Sequence, residues 1–171
     1  RPISLTNTDY KLLAKTLAVR LGCVISDLVS EDQVGYIKGR RVSHILRMID
    51  DVTDYLNCED KPGLLVGIDY FHAFDCISKD YMKNAFKMFG FGENFMRWVS
   101  VLMNNTLSCI NYGGWLSGFF SVDSGIRQGC PFSPLAFVLA IELLACKIRN
   151  CPDIKGVSLN GSTDIVKIVK I

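Results

Sequence analysis

Residues 133–143 constrain the fold more than any other segment. Ser133-Pro134 reads as an N-cap and first helical position, and the helix behind it runs through Leu135, Phe137, Leu139 and Leu143 with Glu142 as its only early charge. A helix that is apolar all round has no solvent face, so the rest of the chain must wrap around it. The other segments are suited to wrapping. Leu13, Leu17, Leu21, Val24 and Leu28 recur at three- and four-residue spacing and predict one amphipathic helix with Thr8 as its N-cap. A second helix is expected through Val42, Ile45, Leu46, Ile49, Val52 and Leu56, and a cationic, glycine-bearing loop over residues 33–41 joins the two.

After Pro62-Gly63 the period changes. Residues 64–69 form a short apolar run of strand length that ends in Asp69. Ser78 is placed to cap a helix through Tyr81, Met82, Ala85, Phe86 and Phe89, closed by Gly90 and Gly92, with another helix around Met96, Val99 and Leu102. Residues 106–112 and 115–122, separated by Gly113-Gly114, predict an antiparallel hairpin, and residues 156–171 alternate like two short strands around Asn160-Gly161. The expected class is therefore α+β. With 171 residues, 49% hydrophobic and 21% charged, the chain has enough apolar material for one proper core.

Charge excludes little in bulk, because the net value is only +2. Its distribution is more informative: residues 1–50 sum to +3, residues 51–123 to −4 and residues 124–171 to +3. An acidic middle between basic flanks suits cations held beside a polyanion, and solvated faces give the same pattern. Seven cysteines with no Cys-x-x-Cys pair and only two histidines argue against a zinc cluster, and they fit a reducing, intracellular setting. The uncharged run over residues 99–122 is broken by Asn104, Asn105, Asn111 and two glycines, which argues against a membrane span. No signal peptide is read at the start, and a chain opening at Arg1 rather than Met is expected to be a piece of something longer.

Three places could carry chemistry. On the expected strand Leu65, Gly67 and Asp69 share a face, and a carboxylate closing a buried strand has to be paired, hydrated or bound to a metal. An Asp after a strand also commonly serves as a turn or capping residue, the role read for Asp75. The second place is residues 125–134, where two glycines, Arg127 and Gln128 precede a helix and suit close backbone approach to a phosphate or base, or simply a glycine-rich connector. The third is the cationic stretch Lys38, Arg40 and Arg41, which could contact phosphates or merely be solvated.

Four segments taken together carry a resemblance: Arg1-Pro2-Ile3-Ser4-Leu5 with the following Asn7-Thr8-Asp9-Tyr10-Lys11, then Asp32 to Arg40, then Ile68-Asp69-Tyr70-Phe71-His72-Ala73-Phe74-Asp75, and then Gly125 to Pro134. In this order and at this spacing the chain resembles the reverse transcriptase of non-LTR (LINE-type) retrotransposons. The resemblance implies a right-hand polymerase fragment, with fingers over about residues 1–60 and an incomplete palm with an antiparallel sheet over about residues 61–171. It implies nucleotidyl transfer to a DNA primer on an RNA template from deoxynucleoside triphosphates, using two Mg2+ ions, with Mn2+ as the alternative. Asp69 matches a metal-binding catalytic carboxylate. Phe74 matches the residue against which the incoming sugar packs, Arg1 a fingers arginine that grips the triphosphate, and Gln128 with Gly129 the lining of the nucleotide and template pocket.

Two departures qualify it. Position 72 is His where the family typically has Lys, and no Ala-Asp-Asp occurs in the chain, although relatives continue into an aromatic-Ala-Asp-Asp turn that supplies the remaining catalytic carboxylates. Asp164 and Asp123 are poor substitutes. The expectation is a polymerase piece that is inactive alone. The competing readings are a non-catalytic retroelement remnant that binds nucleic acid, and a metal-dependent phosphatase or nuclease built on Asp69 and Asp75. The family's habit of priming on chromosomal DNA implies a nuclear or cytoplasmic ribonucleoprotein location.

Overall fold

The computed structural model describes residues 4–158 and 165–166. Arg1 and Asp164 therefore lie outside the described residues. Seven helices and three two-stranded antiparallel sheets follow one another among those residues, so the class is α+β.

Helix α7, Ser133–Arg149, is the hub, as its composition demands. Ala136, Leu139, Ala140 and Ala145 along it are buried, and it packs against α5 (Lys79–Met88), α1 (Thr8–Gly22) and α2 (Ile25–Leu28). Small residues at the contacts, including Ala14, Ala85 and Ala136, let the helices approach closely, and larger side chains fill the space between them. Phe86 stacks on Phe132 with ring centres 5.8 Å apart and meets Phe91 edge-on at 5.1 Å. Helix α6, Glu93–Met103, closes the other side of α1 and α5 with Val99, Leu102 and Met103.

Helix starts fall near their expected places, with instructive shifts. Ser78 caps α5 by accepting the amide of Tyr81 at 3.4 Å. Helix α7 begins at Ser133, one residue before Pro134, so Phe132 takes the cap position. Asn7 rather than Thr8 precedes α1. The single helix expected to Leu28 is broken at Cys23 and Val24, beyond Gly22, and resumes as α2. Helix α3, Val42–Cys58, has the expected extent, yet Ile45 is its only fully buried residue. Helix α4 is one turn, Ala73–Cys76.

The hairpin forms as expected. Strand β2 (Asn111–Tyr112) pairs with β3 (Trp115–Leu116) across Gly113 and Gly114, whose φ values of +55° and +89° are those a tight two-residue turn requires. Below it β1 (Leu107–Ser108) pairs with β4 (Phe120–Ser121). Residues 109–110 face residues 117–119 between the two ladders, so one arm carries an extra residue. Ser117 absorbs it: its amide donates to Ile110 O and its Oγ accepts from Ile110 N, both at 2.9 Å. Strands β5 (Val157–Ser158) and β6 (Ile165–Val166) pair antiparallel, in keeping with the two short strands expected there, while the expected turn at Asn160-Gly161 lies outside the described residues.

The expected strand at Asp69, over residues 64–69, does not form. Leu64, Leu65, Val66 and Ile68 there are 88, 76, 66 and 51% exposed. A strand is defined by its neighbour, and no described residue offers these backbone groups a ladder.

Candidate nucleotide and nucleic-acid site

The site is built where two segments about fifty residues apart in sequence are bonded together. His72 turns the chain into α4 with φ +49°, a left-handed conformation that His tolerates better than most side chains, in keeping with its presence here. The following turn is then clasped by residues 124–128. Ile126 N donates to Phe74 O at 2.7 Å, Gly125 N to Ile77 O at 2.8 Å, and the Ser124 hydroxyl to Asp75 O at 3.3 Å. Gly125 adopts φ +78°, and a Cβ there would lie 2.7 Å from the carbonyl oxygen of Asp75 and 2.8 Å from that of Phe74. Only glycine fits this approach.

Past the clasp, Arg127, Gln128, Gly129 and Cys130 make a tight turn closed by Cys130 N donating to Arg127 O at 3.3 Å, with Gly129 at φ +93° in the third position. Gln128 sits at the turn's tip and is held twice. Its carbonyl accepts the amide of Ser4 at 3.0 Å, and its Nε2 donates to both carboxylate oxygens of Asp75, at 3.0 and 3.2 Å. His72 Nδ1 lies 3.5 Å from the same carboxylate. Phe74 stacks on Phe137 of α7 with ring centres 4.7 Å apart, which fixes its ring against the hub helix. Arg127 lies over the Tyr10 ring at 4.6 Å. The Tyr10 hydroxyl donates to Cys130 Sγ at 3.4 Å, and burial, reinforced by that bond, pushes its phenol well above the ordinary range.

The structure thus brings Phe74, Gln128 and Gly129 into one neighbourhood and adds Asp75, which the sequence reading made a turn or capping residue. Asp69 is exposed at the end of the unpaired segment. Among the described residues no group of three or more His, Cys, Asp or Glu side chains could hold a metal ion. Asp69 brings one carboxylate, and that of Asp75 is taken by Gln128 and His72, so these residues do not fit a two-ion centre.

The cationic loop divides. Lys38 and Arg41 are exposed. Arg40 is a correction: its guanidinium donates to the backbone carbonyls of Ser26, Val29, Ser30 and Gln33, which commits all four terminal N–H groups to its own chain. It is a staple across the end of α2, with its terminal N–H groups turned to these carbonyls rather than to a phosphate.

Two charged clusters were missed. Lys79 donates to Thr106 Oγ1 at 2.9 Å and to Val122 O, tying the base of the hairpin to α5, and burial lowers its pKa. A lysine at the first position of a helix runs against the macrodipole, and that was the available signal. Glu142, 1% exposed, accepts from Arg149 and from Ser30 N at 3.2 Å, while Arg149 also binds both oxygens of Asp32 at 3.1 and 3.2 Å. Burial works against the Arg149 charge, but its bond to Cys146 and the two carboxylates outweigh it, and the pKa is raised.

A family model described as reverse transcriptase (RNA-dependent DNA polymerase) matches residues 1–162. The chain belongs to the reverse transcriptase family. Among its relatives is the transposon TX1 uncharacterized 149 kDa protein of Xenopus laevis, 28% identical over 150 residues that make up 88% of this chain and 12% of the relative. The retrovirus-related Pol polyprotein from type-1 retrotransposable element R2 of Popillia japonica is 25% identical over 91% of this chain and 22% of its own length. The corresponding polyprotein from type-2 retrotransposable element R2DM of Drosophila melanogaster is 24% identical over 95% of this chain and 15% of its own length. These relatives bear out the likeness to non-LTR retrotransposon reverse transcriptases read from the motifs. The chain spans between 12 and 22% of the length of these three relatives. The clasp, with Phe74, Asp75, Gln128 and Gly129, lies wholly inside the matched span of the reverse transcriptase domain. No helix among the described residues is long and apolar enough to cross a membrane.

Proposed function

We propose that this chain is the fingers (about residues 1–60) and part of the palm (about residues 61–171) of a right-hand RNA-directed DNA polymerase. Its task is to hold an RNA template, a DNA primer and an incoming deoxynucleoside triphosphate. The observation that carries this reading is the clasp of residues 124–128 on residues 72–77, which joins two of the family's motifs into one surface. Phe74 is the wall for the sugar, and Gln128 and Gly129 line the nucleotide pocket. Arg1 grips the triphosphate, and Lys38 and Arg41 take backbone phosphates of template or primer. Asp69 is the one carboxylate of the metal-binding set in this sequence, with Mg2+ as its preferred ion and Mn2+ as the alternative. One carboxylate does not hold the ion pair that nucleotidyl transfer needs, so residues 1–171 taken alone bind substrates without extending a primer. A nuclear or ribonucleoprotein location follows from the same reading.

The test is RNA-templated primer extension by residues 1–171 with Mg2+ and with Mn2+, alongside an electrophoretic binding assay. Binding without extension is expected. Extension that disappears in Asp69→Ala would refute the inactivity, and absence of any template–primer binding would refute the assignment.

A further inference from the structure

Asp75 lies outside the roles assigned above, yet it holds the side chain on which the nucleotide site depends. A carboxylate offers only acceptors, whereas a glutamine amide has one donor end and one acceptor end. With Asp75 opposite, the amide of Gln128 has one satisfying orientation: its NH2 group turns to Asp75, bonding both oxygens at 3.0 and 3.2 Å. Its Oε1 makes no hydrogen bond among the described residues. The backbone of Gln128 is fixed separately, by Ser4 N on its carbonyl and by the turn that Gly129 permits. Asp75 is in turn anchored through its main chain, where its amide donates to His72 O at 2.8 Å and its carbonyl accepts from the Ser124 hydroxyl.

We propose that Asp75 is a positioning residue that locks the Gln128 amide so that position 128 presents a hydrogen-bond acceptor to the bound nucleotide. The proposal rests on the nucleotide-site reading above. Its chemical content is a selectivity: the pocket favours a donor on the nucleotide at this point and penalises an acceptor, because Gln128 cannot flip without setting its carbonyl oxygen against a carboxylate. The residue acts through Gln128 and has no contact of its own with the ligand.

The test has two readouts. The first needs no nucleotide: in a 1H–15N spectrum of the full chain, the Gln128 side-chain NH2 pair, identified by its loss in Gln128→Ala, should shift in the isosteric Asp75→Asn and be restored towards its native position in Asp75→Glu. The second is a double-mutant cycle on the affinity for a radiolabelled deoxynucleoside triphosphate in the presence of template–primer, by equilibrium dialysis. Gln128→Ala should weaken binding about tenfold and Asp75→Ala about fivefold, with the double variant no weaker than Gln128→Ala alone. An NH2 pair insensitive to Asp75→Asn, native affinity in Asp75→Ala, or losses that multiply in the double variant would each overturn the proposal. Native affinity in Gln128→Ala would instead refute the nucleotide-site reading, and with it the role of Asp75, even if the spectrum reports the lock.

Discussion

Replacing Gly125 by alanine attacks the clasp at its tightest point. The new Cβ would sit 2.7 Å, 2.8 Å and 2.9 Å from three backbone atoms of Phe74 and Asp75, all closer than real Cβ atoms come. Backbone cannot swing aside as a side chain can, so the two segments have to separate by several tenths of an ångström. That stretches the bonds from Gly125 N to Ile77 O and from Ile126 N to Phe74 O, now 2.8 and 2.7 Å. Losing most of two hydrogen bonds costs about 1 kcal/mol each. Holding a residue with a Cβ at φ +78° costs about 1–2 kcal/mol more. The expected destabilisation is about 3 kcal/mol, which for a domain of this size lowers the melting temperature by roughly 6–12 °C. Urea unfolding followed by the fluorescence of Trp98 and Trp115 measures it, with Gly67→Ala as control because nothing lies within 4 Å of a Cβ there. A Gly125→Ala variant within about 0.5 kcal/mol of the native chain would refute the claim that the two motifs are bedded on each other.

Arg40→Ala should destabilise the chain by about 2 kcal/mol, since four carbonyls, those of buried Val29 and Gln33 among them, lose a charged donor, and leave the salt dependence of RNA binding unchanged. Lys38→Ala and Arg41→Ala should do the reverse, each lowering the slope of log affinity against log salt by about 1 with little effect on unfolding. Glu142→Ala should cost about 1–3 kcal/mol in urea unfolding, because Ser30 N and one arm of Arg149 lose a buried charged acceptor while Asp32 still pairs the guanidinium; a cost below about 0.5 kcal/mol would show that the contact is dispensable. The exposed run over residues 64–68 should make the isolated chain self-associate, and Val66→Lys should shift it towards monomer in sedimentation velocity; a native chain already monomeric would contradict this.

What the sequence made legible was local. The Ser78 cap, the Gly113-Gly114 turn, the extent of α3 and the burial of α7 each depend on side chains a few residues apart, and each formed. Strand 64–69 did not, because an apolar run becomes a strand only through a partner that spacing does not supply. Arg40 was misjudged for a related reason: a cation in a glycine-bearing loop looks available to phosphate until the loop curls back and offers it four carbonyls. Asp75 was read as a turn or capping residue, and its meeting with Gln128 crosses 53 positions. Glu142, like Lys79, was a case where a signal existed. A lone charge on a helix apolar all round has to be neutralised, and Arg149, two turns on along the same face, is what does it.

The central claim is that the surface joining residues 72–77 to residues 124–128 receives the incoming nucleotide. Photo-crosslinking of an azido-deoxynucleoside triphosphate to the chain in the presence of template–primer, followed by peptide mapping, tests it most directly. The account predicts labelled peptides containing Phe74 and Gln128, competed away by unmodified nucleotide. Saturable labelling confined to the hairpin or to the Lys38–Arg41 loop would contradict it.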